Sequence, residues 1–286
     1  MRLACLDGRA VLLRGDAHGA FVDVAHRSDG SLPSDPMELL SGWDDLREWS
    51  AGLPADAADG EAHPAELGPC VPRPQKVFGV GLNYKDHAAE AGLDLPKQPM
   101  IFTKFPTCLV GPRAEVVLTG DRVDYEVELV VAIGRGGRDI AAERALDHVA
   151  GYCVGQDISD RRAQFADRPP QFSLGKSADT FGPIGPALVT LDELADAADL
   201  GLTCDVSGER LQEGRTRDMI FPVEELVAFL SRTLTLAPGD LVFTGTPAGV
   251  GSLRDPRRYL ASGDTITSGI EGLGELVNRC VGQADN

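Results

Sequence analysis

The chain has 286 residues, 43% of them hydrophobic, which is enough to bury one large core or a core with a small appended unit. Lys and Arg number 27 against 44 Asp and Glu, a formal net charge of -17, so the averaged field repels phosphate backbones and anionic lipid headgroups. Nucleic acid and membrane surfaces are excluded as partners on that basis, no run approaches the roughly 20 apolar residues of a membrane span, and a cytoplasmic location is expected.

In chain order, residues 1–50 read as short strands at Ala10 to Leu13 and Ala20 to Val24, followed by a helix from Pro36 to Ser50. Leu39, Leu40, Trp43 and Leu46 would form its apolar stripe. The stretch from Ala51 to Pro74, dense in Ala, Pro, Gly and acid, reads as a linker. A division follows into a small N-terminal domain with its linker at 1–70 and a larger unit at 71–286.

Beyond the linker, strands are predicted at Val77 to Val80, Val116 to Leu118, Val123 to Ile133, Tyr152 to Ile158 and Leu241 to Thr244. Helical patterns interrupt them at Glu143 to Ala150, Leu191 to Ala197 and Pro222 to Leu234. The class is therefore α+β and rich in strand, without the regular alternation of a doubly wound sheet. Six scattered cysteines (Cys5, Cys70, Cys108, Cys153, Cys204, Cys280) form no CxxC or Cys/His cluster and read as reduced, mostly buried thiols.

Chemistry concentrates in a few segments. In VDYEVELVVAIG the apolar residues Val123, Tyr125, Val127 and Leu129 alternate with Asp124, Glu126 and Glu128. Side chains two apart on a strand share a face with Cα atoms about 7 Å apart, where like charges repel unless they are exposed, protonated or bridged by a cation. Alone, the pattern is that of a solvated acidic face. The run GYCVGQDISD adds Asp157 at a strand end, and one Asp with two Glu makes half an octahedral oxygen shell. Such a shell suits magnesium, manganese or calcium better than zinc.

The run VFGVGLNYKDHAAEAG reads as a strand, a Gly/Asn loop and a short helix placing His87 and Glu90 on one face. A carboxylate beside an imidazole fixes its tautomer and raises its basicity, as a general base towards water requires; a surface i,i+3 contact is the plainer alternative. The Gly/Pro-punctuated segment from Glu90 to Gln98 reads as a lid or an ordinary surface loop. GTPAGVG lacks the Lys of a phosphate loop, so nucleotide binding has no support.

Taken together, GVGLNYKDHAAEAG, MIFTKFPTCLVGP, DYEVELVVAIG, GYCVGQDISDRRAQ, LGKSADTFGPIGP, PGDLVFTGTPAGVG and IEGLGELVN resemble the fumarylacetoacetate hydrolase family over about residues 75 to 280. The likeness is to its shorter bacterial-type members, acylpyruvases and 2-hydroxyhepta-2,4-diene-1,7-dioate isomerases. It implies a mixed β-sandwich or roll as the catalytic domain, a homodimer, and a magnesium, manganese or calcium ion on Glu126, Glu128 and Asp157. It also implies His87, Glu90 and Lys176 as catalytic residues and Arg161, Gln164 and Thr246 as substrate contacts. Larger members carry a further ligand Asp before the His, absent from VFGVGLNY, so three protein carboxylates are expected. Phe105 and Arg162 depart from the commoner family spelling and leave the substrate open.

The reaction implied is metal-dependent hydrolysis of a C–C bond in an acylpyruvate or related 2-oxo acid, with His87 and Glu90 activating water and an enolate stabilised at the ion. Decarboxylation or isomerisation of a 2-oxo or 2-hydroxydienoic acid would use the same enolate. A substrate with two acidic ends is expected from Arg161, Lys176 and the cation. A non-catalytic binding module stabilised by its ion is the alternative of another class.

Overall fold

A computed structural model describes residues 1–15 and 19–282. Two sheets organise it. The larger has a path running Gly60–Glu61, Ala20–Asp23, Arg9–Leu13, Arg2–Leu6, Gly182–Val189, Val149–Gln156, Val127–Ile133, Leu241–Phe243, Val77–Gly81 and Met100–Lys104. The smaller runs Glu209–Arg215, Gly201–Val206, Thr265–Ile270, Gly274–Gly282 and Val116–Leu118. Their inner faces pack together, with Leu129, Val154, Leu188, Leu202, Ile266 and Leu276 among the buried side chains. The outcome is mixed α+β with few helices, as predicted.

The central strands Val127–Ile133, Val149–Gln156 and Gly182–Val189 are buried along their whole length. That is why, beyond Glu128 on the first and up to Gln156 on the second, they read as nearly unbroken apolar runs. Val127 pairs with Gln156 and Glu128 with Gly155, an antiparallel register that brings the acidic strand end beside Asp157.

Several expectations need correction. The helix from Pro36 is two helices, Pro36–Ser41 and Trp43–Ala51, divided at Gly42, where the first one ends and the second is capped. The segment from Ala51 to Pro74 is no simple linker, since it contributes Leu67–Gly68 to the sheet and buries Ala62, Cys70 and Val71. Arg2–Leu6 pairs with Gly182–Val189, so the N-terminal strands continue the large sheet. The patterns at 143–150 and 191–197 are 3-10 turns, Ala142–His148 and Leu191–Glu193. Val223–Thr233 forms the predicted third helix, with Pro222 as its cap. All six cysteines are buried and unpaired by disulfides.

Candidate metal and acid-base site

The acidic strand is broken where its chemistry lies. Val123–Asp124 pairs with Ser159–Asp160, Val127–Ile133 joins the large sheet, and Tyr125 and Glu126 lie between. Backbone N–H groups that leave a ladder inside a core need other acceptors. Here Glu126 N donates to Gln156 Oε1 at 2.9 Å and Val127 N to Gln212 Oε1 at 3.0 Å. Asp157 N closes the turn on Glu126 O at 2.9 Å.

This break carries Glu126, Glu128 and Asp157 to one point. One oxygen from each lies within 4.8 Å of the others, and all three residues are buried. Asp124, fourth acid of the neighbourhood, turns away to accept from Gly251 N at 2.8 Å and Ser252 N at 3.0 Å, and from Arg161 Nε at 2.8 Å. It is not part of the triad.

Four buried acids, Asp124, Glu126, Glu128 and Asp157, face three buried cations, Lys104, Arg161 and Lys176. Lys176 Nζ donates to Glu126 Oε2 at 2.8 Å, Asp157 Oδ2 at 2.7 Å and Ser159 Oγ at 2.8 Å. Arg161 reaches Glu126 Oε1 at 2.6 Å through Nη2. Burial works to raise the Glu126 carboxyl, but Lys176 and Arg161 outweigh it and hold the group at about 2. Burial, then Asp157 and Glu126, push the Glu128 carboxyl well above its usual range. Glu128 is therefore the acid of the triad that most favours its protonated form when no ion is bound. Buried acids that outnumber their cations, with no thiolate or imidazole among them, fit a hard divalent cation.

The acids are held from the loop GTPAGVG. Gly245 N donates to Glu128 Oε2 at 2.8 Å, and Gly249 N to Glu90 at 3.0 and 3.1 Å. Both glycines sit at positive φ, 98° and 105°, and a Cβ on Gly249 would lie 2.0 Å from Leu211 O. Only glycine lets this backbone approach so closely.

His87 and Glu90 lie on the short helix Lys85–Glu90, with His87 Nδ1 3.3 Å from Glu90 Oε2. The turn before it is fixed by Asn83, whose amide donates to Thr244 O at 2.7 Å and Phe221 O at 3.0 Å and accepts from Phe221 N at 2.8 Å. Leu82 is held there at φ 55°, a left-handed conformation costly for a branched side chain and tolerated where surrounding bonds over-determine it.

A cavity of about 630 Å³ opens onto His87, Glu126, Glu128, Arg161, Gln164, Lys176 and Thr246 together. Asp157 lies beneath it, fully buried. The wall includes Leu93 of the Glu90 to Gln98 segment, with Phe102, Phe165 and Phe172. Three predicted substrate contacts are engaged by the protein here. Arg161 Nη1 donates to Gln164 Oε1 at 2.9 Å, and the Thr246 hydroxyl donates to Val127 O and accepts from Gln212 Nε2, at 2.8 and 2.7 Å. Lys104, Gln156 and Gln212 escaped the sequence reading. Lys104 and Gln156 each close an otherwise apolar run, whereas Gln212 sits in the polar stretch ERLQEGR and carries no signal.

Comparison with known proteins places this geometry. Residues 76–281 match the fumarylacetoacetate (FAA) hydrolase C-terminal family. The mitochondrial oxaloacetate tautomerase of Homo sapiens is 47% identical over 213 residues, spanning 74% of this chain and 68% of that protein. Fumarylacetoacetate hydrolase from Exiguobacterium antarcticum superposes with a TM-score of 0.83 at 34% identity, covering 99% of this chain and 100% of the other. Maleylpyruvate hydrolase from Sphingobium sp. SYK-6, in complex with manganese(II) and pyruvate, superposes at 0.80 with 30% identity and the same coverage. With the fold, the carboxylate cluster and these relatives in agreement, the chain belongs to the fumarylacetoacetate hydrolase family and is an enzyme.

Proposed function

We propose that the enzyme enolises a short 2-oxo acid at a divalent cation held by Glu126, Glu128 and Asp157, and that tautomerisation of an oxaloacetate-like dicarboxylate is its reaction. The observation that carries this reading is the opening of one cavity onto both His87 and the carboxylate cluster. A bound magnesium or manganese ion supplies Lewis acidity towards a 2-oxo oxygen.

The chain's own residues supply the rest. Glu90 engages His87 Nδ1, so Nε2 is the nitrogen left to take or give a proton at the carbon beside the oxo group. Gly249 N fixes Glu90 in turn, which keeps the imidazole oriented. Lys176 lies beside two of the acids and places a positive charge at the cavity wall, where negative charge develops on the substrate. With a dication bound and all four acids ionised against the three cations, the cluster would carry net positive charge and favour an anionic ligand. Arg122 and Arg257, both exposed, also line the cavity and suit a second carboxylate, whereas Arg161 is held by Asp124 and Glu126. Phe102, Phe165 and Phe172 narrow the space for bulky acyl groups.

Tautomerisation is favoured over the hydrolysis expected from sequence because the human relative at 47% identity carries that activity in its name. Hydrolysis of an acylpyruvate is the second reading, supported by the His87–Glu90 pair and by the pyruvate complex of the maleylpyruvate hydrolase. One panel separates them: oxaloacetate, acetylpyruvate, maleylpyruvate and a hydroxydienedioate, each with the magnesium-loaded enzyme, products read by mass and keto–enol conversion by ultraviolet absorbance. Conversion of enol-oxaloacetate without cleavage supports the first reading, and release of pyruvate from an acylpyruvate supports the second. No turnover of any member would leave the binding-module alternative standing.

A further inference from the structure

Besides Lys176, which donates to Glu126 Oε2 and Asp157 Oδ2, a further donor of the protein engages one oxygen of each acid of the triad. Glu126 gives Oε1 to Arg161 at 2.6 Å, Glu128 gives Oε2 to Gly245 N at 2.8 Å, and Asp157 gives Oδ1 to Lys104 Nζ at 2.6 Å. The first two restraints come from a residue at the cavity and from a backbone. The third comes from a lysine outside the cavity lining, at the end of the strand Met100–Lys104, with its side chain fully buried.

Lys104 has no freedom to leave. Its remaining two protons go to the carbonyls of Lys176 and of Phe181, the latter at 3.1 Å, and its ammonium stands 5.6 Å from the centre of the Phe243 ring. The same ammonium thus fixes the outer oxygen of Asp157 and the backbone that delivers Lys176. Only Asp157 Oδ2 is turned to the interior of the cluster, where Lys176 Nζ lies 2.7 Å away.

We propose that Lys104 is a positioning residue that limits Asp157 to a single ligating oxygen and so sets the preference of the site between small octahedral dications and calcium. The inference rests on the metal-binding reading above and deepens it. Calcium takes six to eight oxygens and accepts bidentate carboxylates, whereas magnesium demands six at near-ideal octahedral angles and is served by single oxygens. A carboxylate released from Lys104 would be free to rotate and offer both oxygens. Loss of the lysine charge also strengthens attraction for every dication, but that gain is common to magnesium and calcium and cancels in their ratio.

The test is calorimetric titration of magnesium and of calcium into the chelator-stripped full chain, wild type and Lys104→Met, with folding checked by circular dichroism. The ratio of calcium to magnesium dissociation constants is expected to move about tenfold towards calcium in Lys104→Met. A ratio unchanged within about twofold, in a variant that still binds both ions, would overturn the proposal. If Lys104→Met does not fold, a crystal structure of the manganese-loaded wild type decides: Asp157 ligating through one oxygen with Lys104 on the other supports it, and both oxygens on the ion overturn it. Absence of binding of any dication to wild type would instead sink the metal reading on which the inference stands.

Discussion

Glu128 and Lys176 show how the same small volume punishes two substitutions differently. Glu128 favours its protonated form in the metal-free cluster, its carboxyl pushed up by burial and by Asp157 and Glu126. Glu128→Gln resembles that neutral acid in shape and charge, so the metal-free variant should melt no lower than wild type. It should also lose the rise of roughly 5–10 °C that a saturating ion gives the native protein. Thermal melts with and without magnesium measure both. Lys176 is the opposite case, since it neutralises Glu126 and Asp157 at once. Lys176→Met strips Glu126 and Asp157 of a shared cation, leaving them Arg161 and Lys104, and should cost about 3 kcal/mol in the metal-free chain, read by urea unfolding. An unchanged midpoint would mean that the acids find other partners.

At the scale of elements, the loop GTPAGVG ties the carboxylate strand to the His87 helix through Gly245 and Gly249. Gly249→Ala puts a methyl group against Leu211 O at a positive φ, so a loss of about 2–4 kcal/mol in stability is expected. If the loop is the support of Glu90, kcat should fall further than KM rises. Equal stability and activity would remove the loop from the account. The turn that precedes Thr265–Ile270 makes a pH-dependent contribution. Partial burial works to raise the Asp264 carboxyl, but Arg258, Ala261 N and Ser207 outweigh it and hold it below its ordinary 3.8. The folded state thus binds its proton less readily than the unfolded chain does. Stability from this contact is complete above pH 3.8 and is lost as pH falls through the lower folded value. Asp264→Asn should therefore show a shallower acid limb in melting temperature below about pH 4 than wild type. A limb as steep as that of wild type would assign acid sensitivity to other groups.

For the whole molecule, the large sheet runs through both ends of the sequence division. Gly182–Val189 is flanked by Arg2–Leu6 on one side and Val149–Gln156 on the other. A chain beginning at residue 71 would bare the Leu188–Val189 end of that wholly buried strand, and is expected to aggregate where the full chain stays dispersed, as light scattering would report. The division itself was read from the composition of residues 51–74, which proved blind to the buried Ala62, Cys70 and Val71. Period-two alternation did reveal Glu126 and Glu128, and Asp157 announced itself by ending an apolar run. What alternation cannot reveal is the break at Tyr125 and Glu126, because the amides that permit it, Gln156 and Gln212, come from far along the chain. Lys104 was illegible for a related reason. A single lysine closing a strand ordinarily faces water, and only tertiary packing sends this one beneath Asp157.

Pyruvate is the smallest ligand on which the central claim can be tested, since exchange of its methyl protons with deuterium oxide requires enolisation and no other step. Proton magnetic resonance of pyruvate with the magnesium-loaded enzyme should show exchange well above a magnesium buffer control. Chelation, and separately Glu126→Gln, should return it to that control. Exchange that persists at full rate after chelation, or none at all in wild type with magnesium bound, would contradict enolisation at the Glu126, Glu128 and Asp157 cluster.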